Sequence, residues 1–588
     1  KSLGIPLIVT NDSHFTERDD SLAQEVALCL NGHKTLSDPT HWKFDGQGYW
    51  FKSTEEMYDL VTRAGYPIEA MTNTVNIANK IEDYAFRLAS KHGHMVPLFK
   101  DSHGNKWTSD DAHQKLVMAC WNGMAERGLL GKPEYEARLT QELDTMHRKN
   151  FSSYFLIIAD IIRFIRTLET LPPFGRGSSV GSLVCYVLGI TAMDPIRWNV
   201  PFYRFINEGR KDLPDIDTDI SQRLRPAVID YIVKTYGKEH VALIATFQTL
   251  AAKKAIDDAG AALDVPPVIR RQVTKLIGET VKDDKLEELL ATNDEARNLM
   301  QGHPGWIDIA LKLEGVHRNT GLHAAGVVIS NDPLDEWVPL GRDSDGYHTT
   351  QYDMIDVQAL GLLKLDMLGL KAIDTIYDTI VTIKKLHGVD IDVYNLPLDD
   401  QRSYDTITKG EFVSIFQYDS QGMRNMAKKL QPKSLEYLMA LNALFRPGPM
   451  EPQKVTLPDG TVEERPSIAD IYLERRHGRQ QVETWHPSLD KIMADTFGMP
   501  LYQEQISEMA KAIAGFTDTE ADEYRAAIGK KNKEKFDAAQ AKFKHHGMAN
   551  GHPEAFMDFL VAALTGFARY GWNRGHAAGY SYISYVTA

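Results

Sequence analysis

The chain has 588 residues, of which 43% are hydrophobic and 25% charged, and its formal net charge is −14. Such a length holds roughly three to five domains with ample core, and the composition is that of an ordinary soluble globular protein. Only Cys29, Cys120 and Cys185 are present, which argues against a disulfide framework or a cysteine zinc site and for a reducing compartment. No apolar run reaches the roughly 18 residues needed to span a bilayer, so no membrane partner is expected. The acidic balance gives no overall basic signature for nucleic acid, yet local charge decides such contacts.

Five regions follow in chain order. Residues 1–82 carry Leu7-Ile8-Val9-Thr10, which reads as a buried strand, then Asn11-Asp12-Ser13-His14, then helical patterning with a capping box at Ser53 to Glu56. Residues 83–246 hold long amphipathic helices, a Gly/Ser loop at Gly175 to Ser182 and a carboxylate-rich strand. Residues 247–325 are Ala-, Lys- and Glu-rich with helical periodicity, broken at Pro266-Pro267. Strand-like runs return over 326–372, at Gly326 to Ile329 and Leu362 to Asp366. Residues 373–588 are mostly helical, with a break at Arg446-Pro447-Gly448-Pro449. The opening at Lys1 and the close at Ala588, inside a run of aromatic and small residues, read as the ends of a segment of a longer protein.

The stretch Pro214-Asp215-Ile216-Asp217-Thr218-Asp219 sets three carboxylates at every second position. In an extended strand all three point the same way, and like charges on one face need a cation to offset them. A pair of divalent metal ions for phosphate chemistry is one answer; a solvated edge strand or an Asx-rich turn is the other. The loop Gly175-Arg176-Gly177-Ser178-Ser179-Val180-Gly181-Ser182 lets backbone approach a ligand closely. Its N–H groups and hydroxyls can face an anion at a helix N-terminus, although a plain turn before a buried helix has the same composition. In Leu362-Leu363-Lys364-Leu365-Asp366 a lone ammonium and a lone carboxylate interrupt an apolar strand and need partners. They form either a structural pair, or a third metal-site carboxylate, Asp366, beside a phosphate-facing Lys364. The C-terminal half interleaves aromatics and cations, a pattern shared by base-stacking surfaces and by ordinary amphipathic helices.

Taken in order, these motifs resemble the bacterial C-family replicative DNA polymerases, the DNA polymerase III alpha family. The matching stretches include the G-R-G-S loop, Pro-Asp-Ile-Asp-Thr-Asp, Gly321 to Val328, Leu365 to Leu370, Phe416 to Met423, Ala443 to Pro449, Leu501 to Gln505 and Tyr570 to His576. The resemblance implies a multidomain α/β and α protein. It would carry the C-terminal part of a PHP domain at 1–82, palm segments at 83–246 and 326–372, a helical thumb inserted at 247–325, and large, mostly helical fingers at 373–588. The palm would resemble that of the polymerase-beta-like nucleotidyltransferases. Implied catalytic residues are Asp215, Asp217 and Asp366, holding two Mg2+ ions for template-directed DNA synthesis from dNTPs on primer-template DNA. Implied nucleotide-binding residues are Arg176, Gly177, Ser178, Lys364, Arg204, Arg210, Arg446, Arg525, Lys530, Arg574 and His576. The family also implies a cytoplasmic protein that works with a sliding clamp and other replisome subunits. Asp12 and His14 match the last metal motif of the PHP domain, which when intact would take Zn2+ or Mn2+.

Some positions depart from the family pattern. Ala526 follows Arg525 where a second basic residue is usual, Leu322 precedes His323, and Pro173-Phe174 stands ahead of the loop in place of Gly-Pro. None touches the three carboxylates, so an intact palm with an altered nucleotide grip is expected. Competing functions are a PHP-type metal-dependent phosphoesterase or exonuclease centred on Asp12 and His14, and a non-catalytic replisome scaffold. Retention of clustered charge favours synthesis, because a scaffold has no physical need for it.

Overall fold

Alternation along Ile216 to Ile220 organises the central sheet: Ile216 and Ile220 enter an apolar core while Asp217 and Asp219 face the other way. The computed structural model describes residues 4–46, 48–81, 88, 93–99, 107–209, 213–277, 285–411, 413–456, 462–529, 533–568 and 571–588. The sheet has six strands: β1 (Asp217–Ser221), β2 (Val241–Thr249), β3 (His317–Ile329), β4 (Leu340–Arg342), β5 (His348–Thr350) and β6 (Leu363–Leu370). Their order is β1-β6-β3-β2-β5-β4. It is a mixed sheet: β1 runs parallel to β6, and β3 pairs antiparallel to β6 on its other side. The molecule is thus mixed α/β with helices predominating.

The chain divides into two compact units. One comprises Lys1–Phe86 and Ala245–Leu322. Its core forms where Val26 and Cys29 of the helix Ser21–Gly32 meet Ala255, Ile256 and Ala259 of the helix Ala252–Ala262. Trp306 is fully buried there and its indole N–H donates to Ile256 O at 2.8 Å. Pro267 opens the next helix, Pro267–Leu276, at its first position, where a missing N–H costs nothing. The capping box at Ser53 forms: Ser53 Oγ accepts from Glu56 N at 3.2 Å, and Glu56 Oε2 accepts from Ser53 N at 2.8 Å. The expected buried strand at Leu7 to Thr10 does not. Leu7 and Ile8 are exposed and the segment is irregular. Its apolar composition supplied a strand pattern, but among the described residues no strand pairs with it.

The second unit comprises Arg87–Ile244 and His323–Ala588. The helix Ser152–Ile165 is buried along almost its whole length and packs with Ser109–Glu126 and Pro133–Arg148 against the sheet. A second core gathers the helices Gln421–Leu430, Leu435–Leu444 and Arg574–Thr587. A third gathers Gln503–Ala514, Asp518–Ile528 and Glu554–Ala568. The Arg446-Pro447-Gly448-Pro449 break falls just beyond the helix that ends at Leu444.

Candidate active site

Strand register brings the distant carboxylates together. Asp217 lies directly opposite Asp366 in the parallel β1–β6 pair. Asp215 precedes the first paired residue of β1, in extended chain whose Ile216 N–H donates to the buried Tyr154 hydroxyl at 3.2 Å. One carboxylate oxygen from each of Asp215, Asp217 and Asp366 lies within 4.8 Å of the others. Among the described residues no other cluster of three potential ligands converges in this way.

Two cations face this acid cluster. Lys364 Nζ sits 2.6 Å from Asp366 Oδ2 and 3.9 Å from Asp215 Oδ2. The Arg176 guanidinium lies 3.6 Å from Asp217 Oδ1 and 3.4 Å from Asp219 Oδ1. Asp366 Oδ1 is buried and has no hydrogen-bond donor. Four carboxylates against two cations leave the site short of positive charge. Desolvation, the largest influence, raises the Asp215 carboxyl from 3.8 to about 6; Lys364 opposes the rise, while Asp217 and Asp366 add to it. Burial also raises Asp217 and Asp219, in each case against the pull of Arg176. Hard oxygen donors, an oxygen with no donor and excess negative charge fit a divalent oxophilic cation. Asp219 is almost fully buried and bonds Arg176 and the Tyr580 hydroxyl, so it sits behind the triad.

The Gly/Ser loop runs beside the triad as a single short turn, Gly177–Gly181. Gly177 has φ +68°, and a Cβ there would meet Asp217 Oδ2 at 2.7 Å, so only glycine fits. The helix that follows, Leu183–Val187, cannot take an anion at its N-terminus, contrary to the expectation from the loop's composition. The fully buried Glu142 already occupies that end: its carboxylate accepts from Leu183 N at 2.9 Å, Val184 N at 3.0 Å and Ser182 Oγ at 2.7 Å. Arg138 Nε, 2.6 Å away, balances its charge. Nothing in the local sequence signals this, because the capping residue lies far upstream on another helix. On the opposite side the helix Arg574–Thr587 closes onto the loop through two glycines four residues apart. A Cβ on Gly579 would meet Gly175 O at 2.0 Å, and one on Gly575 would meet Gly177 O at 2.8 Å. Ser178, half-buried, remains at the turn's outer edge.

The other expected nucleotide-binding residues are placed as follows. Arg204 is buried and engaged by Asp522 Oδ1 at 3.3 Å, by Gln503 Oε1 at 2.7 Å and by Glu504 at 3.8 Å. Arg525 Nε reaches the same Asp522 oxygen at 2.9 Å. Arg574 donates to Trp198 O at 3.1 Å, pairs with Asp495 and lies over the Tyr502 ring. Arg446 stacks on Trp572 at 4.3 Å, and burial lowers it to about 10. The His576 ring sits between Trp572 and Tyr580. Burial, assisted by Arg176, lowers it to about 4, so it is neutral near pH 7 and not a cation. Arg210 and Lys530 lie outside the described residues. In the first unit His14 Nε2 is 3.1 Å from Asp12 Oδ1 and its ring packs on Phe44, but among the described residues no third ligand joins the pair. Sequence reasoning missed Tyr580, Glu142 and the Gly575/Gly579 seam. Only the four-residue spacing of those glycines gave a signal.

A mixed sheet with carboxylates on two adjacent strands and a glycine turn beside them defines an α/β protein with an acid triad suited to a metal ion. Comparison with known proteins narrows it. Residues 114–369 match the model of the bacterial DNA polymerase III alpha NTPase domain, and residues 371–551 match that of the bacterial DNA polymerase III alpha subunit finger domain. The chain is 34% identical over 646 aligned residues to the DNA polymerase III subunit alpha of Thermus aquaticus, covering all of this chain and 52% of that protein. It is 34% identical to that of Aquifex aeolicus (strain VF5) over 619 residues, again with 100% and 52% coverage. Against the protein of the same name from Mycobacterium tuberculosis (strain ATCC 25618 / H37Rv) the identity is 35% over 614 residues, with 100% and 49% coverage. The chain belongs to the bacterial DNA polymerase III alpha family, and it spans about half the length of the curated relatives it matches. No helix among the described residues is long and apolar enough to cross a membrane.

Proposed function

We propose that this chain catalyses template-directed DNA synthesis, transferring a nucleotidyl group from a dNTP to a primer 3′-hydroxyl during DNA replication. The observation that carries the reading is the convergence of Asp215, Asp217 and Asp366 within 4.8 Å, together with a buried Asp366 Oδ1 that has no donor. In this reading Asp215, Asp217 and Asp366 hold two Mg2+ ions. When bound, such ions supply Lewis-acid charge to the phosphoryl oxygens and ease deprotonation of the attacking hydroxyl.

The chain's own groups then divide the work. Arg176 stands over Asp217 and Asp219 with its guanidinium half-buried, placed to add donors to a triphosphate once those acids are neutralised. Lys364 screens Asp366 and Asp215 from one another while the site is metal-free, and its ammonium is close enough to turn toward phosphate. Gly177 gives backbone access beside Asp217 without a side chain to block substrate. The neutral His576, held between two aromatic rings, offers shape and a hydrogen bond rather than charge. Primer-template DNA and dNTPs are the substrates. Strands β1 and β6, with the last residues of β3 (326–329), belong to a palm drawn from 83–246 and 326–372. Residues 247–325 act as thumb, 373–588 as fingers, and 1–82 as part of a PHP domain. A sliding clamp and other replisome subunits are the expected partners, in the cytoplasm.

Primer extension by the full chain, with and without Mg2+, tests the reading against the variant Asp217→Asn. The expected result is Mg2+-dependent extension by the unaltered chain and none by the variant, with primer-template affinity retained in fluorescence anisotropy. Normal extension by Asp217→Asn would sink the assignment.

A further inference from the structure

A cavity of about 300 Å3 lies in the second unit, lined by Arg127, Arg166, Tyr186, Thr191, Asp392 and Tyr394, with Pro172 and Pro173 completing its wall. None of these residues belongs to the metal triad or to the set expected to grip the nucleotide.

Its chemistry is specific. Arg127 is exposed, stacks on the Tyr186 ring at 4.0 Å, and makes no ion pair among the described residues. Arg166 gives a weak 3.4 Å contact to Gly189 O and likewise faces no carboxylate partner among the described residues. Two guanidiniums on one cavity without acid partners carry up to ten N–H donors between them. Thr191 bounds the cavity but is 1% exposed, with its Oγ1 sealed from solvent, so it shapes the floor without reaching a ligand. The single acid on the wall, Asp392, already accepts from Tyr394 N at 2.9 Å and Asn395 Nδ2 at 2.7 Å. It retains lone pairs for one further donor and does not neutralise both arginines.

Size and walls select among anions. A bare phosphate fills only a small part of 300 Å3, whereas that volume is at the lower bound for a drug-sized ligand. The Tyr394 ring and the two prolines offer flat surface against which a base can lie, beside the Tyr186 face that Arg127 covers. Paired guanidiniums suit phosphate, and a half-satisfied carboxylate suits an N–H or hydroxyl of a nucleoside.

We propose that this cavity is a second nucleotide site, which binds a phosphorylated nucleoside with Arg127 and Arg166 on the phosphates. The site is separate from the triad but touches the chain that leads into it. Ala192 N donates to Phe174 O at 2.8 Å, and a Cβ on Gly175 would lie 3.0 Å from Thr191 Cβ. Arg176 follows immediately, so the wall of the cavity and the arginine facing Asp217 are one short segment.

Isothermal titration of the full chain with ATP and with GTP in EDTA tests this, because chelation removes metal-dependent binding at the triad. Saturable binding that persists in Asp215→Asn, and that falls at least tenfold in Arg127→Glu and in Arg166→Gln, is the expected result. Among the described residues the Arg127 side chain donates to no backbone carbonyl, and Arg166→Gln gives up one long contact to Gly189 O, so both variants should fold, and circular dichroism melts check that. No saturable binding, or binding unaffected by both variants, would overturn the proposal. So would inorganic phosphate competing as tightly as ATP, which would reveal a simple anion site. A single-stranded oligonucleotide losing affinity in Arg127→Glu while ATP binding stays unchanged would overturn it in favour of a strand-binding surface.

Discussion

Two charge clusters in the second unit contain similar residues and behave in opposite ways. Around Asp522, two arginines (Arg204 and Arg525) meet two acids (Asp522 and Glu504), with Gln503 and the Arg574 N–H filling remaining positions. Charge there is balanced, and the side chains of Asp522, Arg204 and Arg525 are only 10%, 11% and 16% exposed. Around Asp366, four acids meet Lys364 and Arg176, and the buried Asp366 Oδ1 has no donor. The first cluster is a closed structural network that ties the segment before β1 to the C-terminal helices. The second is incomplete in the protein alone. Burying charge is costly unless it is paired, so an imbalance that the fold retains points to a cation from outside.

The contrast can be broken most forcefully at the triad. Asp366→Asn should reduce primer extension by roughly 10²–10³-fold or more, the scale expected for losing a group that stabilises developing charge. In metal-free buffer the same change should leave thermal stability unchanged or slightly higher, because it lowers the excess of four acids over two cations while the carboxamide oxygen can still accept from Lys364. Asp522→Ala should do the reverse to stability. It leaves Arg204 and Arg525 without their shared partner, and about 3–5 kcal/mol should be lost in urea denaturation. If Asp366→Asn destabilised as much as Asp522→Ala, the distinction between the two clusters would collapse. Gly579→Ala should cost about 1–3 kcal/mol by forcing the helix away from Gly175 O, and should weaken extension through the displaced loop. Melting and extension measured on the same samples would show whether the two losses travel together.

The smallest effect sharpens the comparison by pH. The folded Asp215 carboxyl is raised from 3.8 to about 6, so the folded state holds its proton more tightly than the unfolded chain does. Stability should therefore fall as pH rises from 3.8 to about 6 and stay lower above it. Asp215→Asn in EDTA should melt higher than the unaltered chain above pH 6 and equally below 3.8. Added Mg2+ should close the gap above pH 6 by stabilising only the chain with the carboxylate. A gap at acid pH alone would contradict the sign.

Much of the site was legible because its chemistry is local. The Asp-x-Asp alternation, the glycine turn and the break in polarity at Lys364 and Asp366 all stand out in the sequence, and β-strand geometry aligns them. That Asp366 lies opposite Asp217 depends on register, which only the fold sets. The cations of the C-terminal half illustrate the converse. Sequence shows a positive residue but not its partner, and the acids that engage Arg204, Arg525 and Arg574 sit on helices that meet only in three dimensions. Glu142 was invisible for the same reason, and Leu7 to Thr10 has the apolar composition of a strand although among the described residues no strand pairs with it.

The glycine seam between the loop and the helix Arg574–Thr587 has a mechanical consequence. At Gly579 a single added carbon would overlap backbone oxygen, so loop and helix are in contact with no side chains between them to deform. Interfaces cushioned by long side chains can slide by changing rotamers; this one can only separate or move as a rigid pair. A swing of that helix would therefore carry Arg176 with it, leaving the compliance of this part of the molecule to the segment that leads into the helix at Asn573.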